Sequence, residues 1–156
     1  MSQVRYVLDS SCLIKLNRDQ PLELYPSVWE KVDDLTAAGR AILPSEAKRE
    51  IDHKDDAVKA WVKLRPAMVV EATIDDLALV QAISAAHPDW VQGRKNAADP
   101  FIIATAVLHG GLIVTDEKFA GPGAVGTNVR LPNVAAEHGI ECIGFTDLVR
   151  REQWRF

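Results

Sequence analysis

Short apolar runs along this chain alternate with longer stretches in which apolar residues return every three or four positions, the pattern of buried strands separated by amphipathic helices. Residues 4–8 form the first run, with Val4, Tyr6, Val7 and Leu8. Asp9, Ser10 and Ser11 follow it and can cap a helix through Leu13, Ile14 and Leu16. Pro26 opens a second helix, with Val28, Val32 and Leu35 on one stripe and Gly39 as its stop. Ala41, Ile42 and Leu43 predict a second strand closed by Pro44, and Ser45 is placed to cap a helix carrying Glu46 and Glu50. Val58, Trp61 and Val62 share a face of the next helix, and residues 68–70 are a candidate short strand. Thr73 is placed to cap a helix through Leu77, Val80 and Ile83 that ends near His87 and Pro88. The most apolar helix starts at Asp99 and Pro100 and runs through Phe101, Ile102, Ile103, Val107 and Leu108 to Gly110 and Gly111. A helix apolar on nearly every side should be central. Residues 112–115 predict a strand, 121–131 a glycine-rich loop, Pro132 the start of a short helix ending at Gly139, 141–145 a last strand, and Thr146 the cap of a terminal helix toward Trp154.

This alternation predicts an α/β protein with a mostly parallel sheet covered on both faces. With 156 residues, 47% of them hydrophobic, the span 1–156 is expected to be one domain whose core needs no disulfide or structural metal. No apolar stretch approaches the roughly 20 residues that cross a bilayer, and the opening residues lack the charged and apolar regions of a signal peptide. Cys12 and Cys142 stand in no ligand spacing and read as thiols of a reducing compartment. A cytoplasmic location without membrane contact is therefore expected.

The formal net charge of −4 argues against a nucleic-acid partner, because proteins that grip phosphate backbones usually carry a basic excess. A metal site weakens the objection, since it concentrates acidic residues that cations then neutralise. Lys48 with Arg49, Arg94 with Lys95, and Arg150 with Arg151 and Arg155 are local basic groups, each of which also reads as a solvated face. Residues 121–126 have the GxGxxG spelling of dinucleotide loops. Residues 117–120 separate them from the strand, no helix follows directly, and Pro122 lacks a backbone donor, so the stretch reads as a surface loop.

Four carboxylates carry the chemistry. Asp9 ends one predicted strand and Asp116 another, Glu50 lies on the helix after the second strand, and Asp99 begins the apolar helix. In open α/β sheets, side chains beyond the carboxyl ends of strands line the ligand crevice. Carboxylates gathered there repel one another unless a cation lies between them, and hard oxygen donors suit Mg²⁺ or Mn²⁺. Each also has a local explanation: helix caps for Asp9 and Asp99, solvent exposure for Glu50, strand termination for Asp116.

Residues 6–11, Pro44 through Glu50 and Ile51, 98–106 and 114–119 together resemble PIN-domain nucleases in order and spacing, nearest to VapC-like toxins or a PIN-like branch beside them. The resemblance implies a PIN-like three-layer α/β/α sandwich and a metal-dependent endoribonuclease acting on RNA, as the toxin of a type II toxin–antitoxin pair. It further implies a cognate antitoxin and a homodimer. Asp9, Glu50, Asp99 and Asp116 match the family's acidic positions, and Ser11 the hydroxyl residue that supports the first. Counting from Thr115 selects Glu117 for the last position and counting back from Phe119 selects Asp116, while Glu46 competes with Glu50 one helical turn away. The alternative is a non-catalytic PIN-like module that binds RNA or protein.

Overall fold

Among the described residues, five short parallel strands are the centre of the molecule, largely buried because helices cover both faces of the sheet. The computed structural model describes residues 4–156. Residues 1–3, part of the span expected as one domain, lie outside the described residues. The strands are β1 (Tyr6–Leu8), β2 (Ala41–Pro44), β3 (Val69–Val70), β4 (Leu112–Val114) and β5 (Cys142–Ile143), in the spatial order β3-β2-β1-β4-β5. Every adjacent pair is parallel, with Val7 opposite Ile42 on one side and Ile113 on the other. The sheet expected to be mostly parallel is wholly so.

The helices are α1 (Ser10–Asp19), α2 (Pro26–Ala37), α3 (Ser45–Lys54), α4 (Asp56–Lys63), α5 (Ile74–Ala86), α6 (Asp99–His109), α7 (Leu131–Glu137) and α8 (Phe145–Arg151). As its composition predicts, α6 is central: it lies against β1, β2 and β4, with α3, α5 and α7 beside it, and Ile102, Ile103 and Ala104 are fully buried. Gly110 closes it in the left-handed conformation (φ 71°). Gly111 then passes so close to β1 that a Cβ would stand 3.1 Å from the Arg5 carbonyl oxygen and 3.2 Å from Val7 Cγ2.

Thr73 caps α5 as expected, accepting from the Asp76 amide while the Asp76 carboxylate accepts from the Thr73 amide. Other expected caps are not made. Ser45 and Phe145 are the first residues of α3 and α8, so Ser45 and Thr146 lie inside those helices, and neither helix has a side-chain cap bond. Strands expected at 4–8, 112–115 and 141–145 are each shorter, although single backbone hydrogen bonds still reach Arg5, Thr115 and Glu141 at their ends.

At the amino-terminal edge of the sheet Glu152 holds the chain end against the core. It accepts from Tyr6 Oη at 2.6 Å and from Arg40 Nη1 and Nη2 at 2.8 and 2.7 Å. Burial, then the hydrogen bond to Glu152, pushes the Tyr6 phenol up to about 12. Glu152→Ala strands a half-buried guanidinium and a buried phenol, so a loss of about 2 kcal/mol is expected. That corresponds to a thermal midpoint lowered by roughly 4–8 °C. An unchanged midpoint would mean that water replaces the carboxylate without cost.

Candidate metal centre

The chain leaves β1 through α1 and α2 to β2 and β3 on one side, and later returns to place β4 and β5 on the other. The strand order therefore reverses between β1 and β4, and a crevice opens beyond their carboxyl ends, where open α/β sheets bind ligands. A cavity of about 360 Å³ lies there, lined by Asp9, Glu50, Asp99, Asp116 and Glu117 with Ser10 and Ser11. Asp9 follows β1, Asp116 and Glu117 follow β4, Glu50 projects from the middle of α3 and Asp99 opens α6. Lys15, Arg18, Lys54, Arg94 and Lys95 line the same cavity. Glu46 is not part of this lining; it pairs instead with Arg49 at 2.8 Å.

The local explanations for the two aspartates fail. Asp9 occupies the cap position of α1, yet its side chain makes no cap bond. Its Oδ2 accepts from Ser11 Oγ at 2.8 Å and from Thr115 Oγ1 at 2.7 Å. Asp99 is the first residue of α6 rather than its cap, and likewise makes no cap bond. Asp9 and Asp99 are only 3% and 6% exposed, so neither is a surface acid.

Hydroxyls tie the two strand ends together. Ser11 Oγ, donating to Asp9, accepts from the Asp116 amide at 3.0 Å, and Thr115 Oγ1, donating to Asp9, accepts from the Glu117 amide at 3.1 Å. Ser10 Oγ donates to Glu50 Oε2 at 3.0 Å and lies 3.5 Å from Asp9 Oδ1, bridging two of the acids with one proton. The motifs single out Ser11, and Ser10 and Thr115 stand beside it as supports that the motifs do not mark. The available signal was hydroxyl residues at the ends of both central strands.

The acids are poorly neutralised. Asp99 Oδ2 and Glu117 Oε2 are buried without a hydrogen-bond partner among the described residues. Burial, reinforced by the charges of Asp9, Glu117 and Glu50, pushes the Asp99 carboxyl up to about 9. Burial and then Asp9 push Glu117 up to about 7, against a backbone hydrogen bond from Leu131 and the charge of Arg130. Burial also raises Glu50, opposed by the Ser10 hydrogen bond. Glu117 is thus turned inward among the other acids, whereas Asp116 is exposed at the mouth between this cavity and a second of about 370 Å³, which Phe145, Thr146 and Arg150 help to line. Among the described residues, no three His, Cys, Asp or Glu side chains converge closely enough to hold one ion as they stand. A full protein cage is therefore not formed, although the donor chemistry, all carboxylate and hydroxyl with two unpartnered oxygens, suits a hard cation that keeps part of its water shell.

Two solved structures resemble the fold. A chain in the crystal structure of DNA-bound VapBC from Salmonella typhimurium aligns with a TM-score of 0.56 at 17% identity, over 92% of this chain and 99% of that one. A chain in the crystal structure of PAE2754 from Pyrobaculum aerophilum aligns with a TM-score of 0.44 at 18% identity, over 85% and 90%. The first likeness, with the parallel sheet and its surrounding helices, shows a PIN-like α/β/α sandwich, as the motifs imply. No helix among the described residues is long and apolar enough to cross a membrane. No curated protein matches the chain in sequence. A family described as a domain of unknown function, DUF4411, matches residues 6–156, and the chain belongs to that family.

Proposed function

We propose that this protein is a divalent-metal-dependent endoribonuclease and the toxin of a toxin–antitoxin pair. One observation carries the reading: carboxylates from four separate segments line one crevice at the sheet's reversal point, and two of them bury an oxygen that nothing among the described residues satisfies. Clustering that raises carboxyl pKa values so far disfavours the ionised forms, and is characteristic of functional sites. Asp9 and Asp99 would hold Mg²⁺ or Mn²⁺, with Glu50 and Glu117 completing the donor set. Such an ion is typically gripped by one or two carboxylates together with substrate phosphate and water, which agrees with the absence of a closed cage. When bound it supplies an acidified water and charge relief at the phosphoryl oxygens. Ser11 and Thr115 orient the Asp9 carboxylate from both strands. Arg94 and Lys95, in no ion pair among the described residues, counter the charge of an incoming phosphate. In this reading the protein works in the cytoplasm, associates with itself, and is silenced by a cognate antitoxin that inserts basic or aromatic side chains into the crevice.

Incubating RNA with the protein in Mn²⁺ and in chelator, beside an Asp9→Asn variant, tests the proposal. Cleavage is expected only for wild type with metal. The open arrangement of the acids favours one competing reading, a PIN-like module that binds RNA without cutting it; absence of saturable Mn²⁺ binding would select that module. For the fourth acid, the inward Glu117 is the better candidate. Glu117→Gln should lower cleavage by more than the 10–100-fold typical of supporting residues, and Asp116→Asn by less. The reverse order would return the role to Asp116.

A further inference from the structure

Two other cavities adjoin the acidic crevice, one on each side, and their charge differs. The cavity toward Phe145 shares Lys15 and Asp116 with the crevice, and its cations are already engaged: Lys15 with Asp19 at 2.9 Å and Arg150 with Asp147 at 3.0 Å. The cavity on the other side shares Lys95, Asn96 and Glu117 with the crevice and is larger, about 840 Å³. This lies toward the upper end of the roughly 300–1,000 Å³ usual for ligand pockets. Lys95 and Arg130 line it, and neither takes part in an ion pair among the described residues. Thr127, which carries a hydroxyl, and Asn128, which carries an amide, line it as well.

The glycine-rich stretch that resembled a dinucleotide loop is one wall of this cavity, and Asn133 holds both of its ends. Asn133 Oδ1 accepts from the Ala120 amide at 3.0 Å and the Arg130 amide at 3.3 Å, while Nδ2 donates to the Gly121 carbonyl at 3.0 Å. Gly121 and Gly126 turn the wall with φ of 106° and 60°, which residues with a Cβ rarely adopt.

We infer that this cavity is the subsite that holds and reads the RNA strand on one side of the cut, with Lys95 and Arg130 on its phosphates and Thr127 and Asn128 on base edges. A polyanion approaching an acidic crevice is drawn to cations that no carboxylate already occupies, and of the two flanking cavities only this one offers them among the described residues. Amide and hydroxyl groups can hydrogen-bond to the exposed edges of unpaired bases. The position of the cut rests on the nuclease reading above; binding of the strand does not.

The test uses the full-length protein and a labelled single-stranded RNA of mixed sequence, with affinity measured in chelator across a salt series. Each lost phosphate contact lowers the slope of log K against log salt by about 0.7 for single strands. The Lys95→Gln, Arg130→Gln double variant should therefore lose about 1.4 of slope and bind several-fold more weakly, while Arg155→Gln, outside the cavity, should not change. Asn128→Ala should keep the slope and redistribute the cut sites in Mn²⁺. Thermal midpoints near wild type show that each variant is folded. If wild type cuts RNA and the cavity variants match it in slope, affinity and cut sites, the subsite is overturned and the nuclease reading stands. If wild type binds with the expected slope dependence but never cuts, the subsite stands and the nuclease reading falls. If the variants keep RNA affinity but release a co-purified protein partner, the cavity belongs to that protein and the subsite is overturned.

Discussion

Replacing Asp99 with asparagine is expected to stabilise the protein at neutral pH and to abolish its response to divalent metal. The carboxyl is pushed up to about 9 from an ordinary 3.8, first by burial and then by Asp9, Glu117 and Glu50. The sign follows from proton binding. Between pH 4 and 9 the folded protein holds a proton on Asp99 that the unfolded chain has released, so stability falls as pH rises through this window. The slope approaches about 1.4 kcal/mol per pH unit for one fully linked group. From pH 5 to 7 this amounts to nearly 3 kcal/mol, or a thermal midpoint lowered by roughly 5–10 °C in chelator. Glu117 and Glu50 shift the same way and steepen the decline. Glu152 shifts the opposite way, held low by Arg40, but its stabilisation is lost only as pH falls below the ordinary glutamate range, outside this window. The asparagine of the Asp99→Asn variant has no proton to lose and should flatten the profile. Mn²⁺ should raise the wild-type midpoint more at pH 8 than at pH 6, because binding displaces protons, and should not move that of the variant. A wild-type midpoint that is level or rising from pH 5 to 7, or a variant less stable than wild type at pH 7, would refute this account of the crevice.

Asp9→Asn should remove metal-dependent RNA cleavage while leaving the fold intact. The three hydroxyls around the Asp9 carboxylate come from Ser10, Ser11 and Thr115. A hydroxyl both donates and accepts, so each can turn to meet an amide of the same shape. The fold should therefore tolerate the change, with a midpoint at or above wild type because one of the repelling charges is gone. In the proposed chemistry, in contrast, the cation would lose an anionic donor at the centre of the site. The loss of activity should exceed the 10–100-fold expected for residues that only orient a ligand. Retention of full Mn²⁺-dependent cleavage by a folded Asp9→Asn protein would remove Asp9 from the site and with it the proposed chemistry.

These two outcomes separate stability from function in opposite directions. Acids that disfavour the folded chain are kept together at one crevice, the expected signature of a site selected for chemistry rather than for packing. A purely structural cluster would predict that both asparagine variants lose stability.

Much of this was legible in one dimension. The alternation of apolar runs with helical stripes placed every strand and helix to within a few residues, because burial on both faces of a sheet demands uninterrupted apolar side chains. The central position of α6 followed from its having no polar face. That Asp9, Glu50 and Asp99 line one crevice was legible, because each stands at a fixed offset from a strand or helix and the reversal of strand order brings those offsets to one edge. That Glu117 buries its carboxylate while Asp116 is exposed was not legible. The direction of a side chain just past a strand depends on how the backbone turns there, and that turn is held by Thr115 Oγ1 donating to Asp9 and by the Asp116 amide donating to Ser11, each across more than a hundred residues of sequence. The roles of Ser10 and Thr115, the pairing of Glu46 with Arg49 away from the crevice, and the failure of Asp9 and Asp99 to cap their helices were decided in the same way. Local periodicity records which face of each segment avoids water, so the order of residues determines the elements and the acids they carry. Desolvation and repulsion between charges depend on neighbours brought together by folding, so only the tertiary structure decides which acids are buried together, which cations remain unpaired, and where a phosphate can approach.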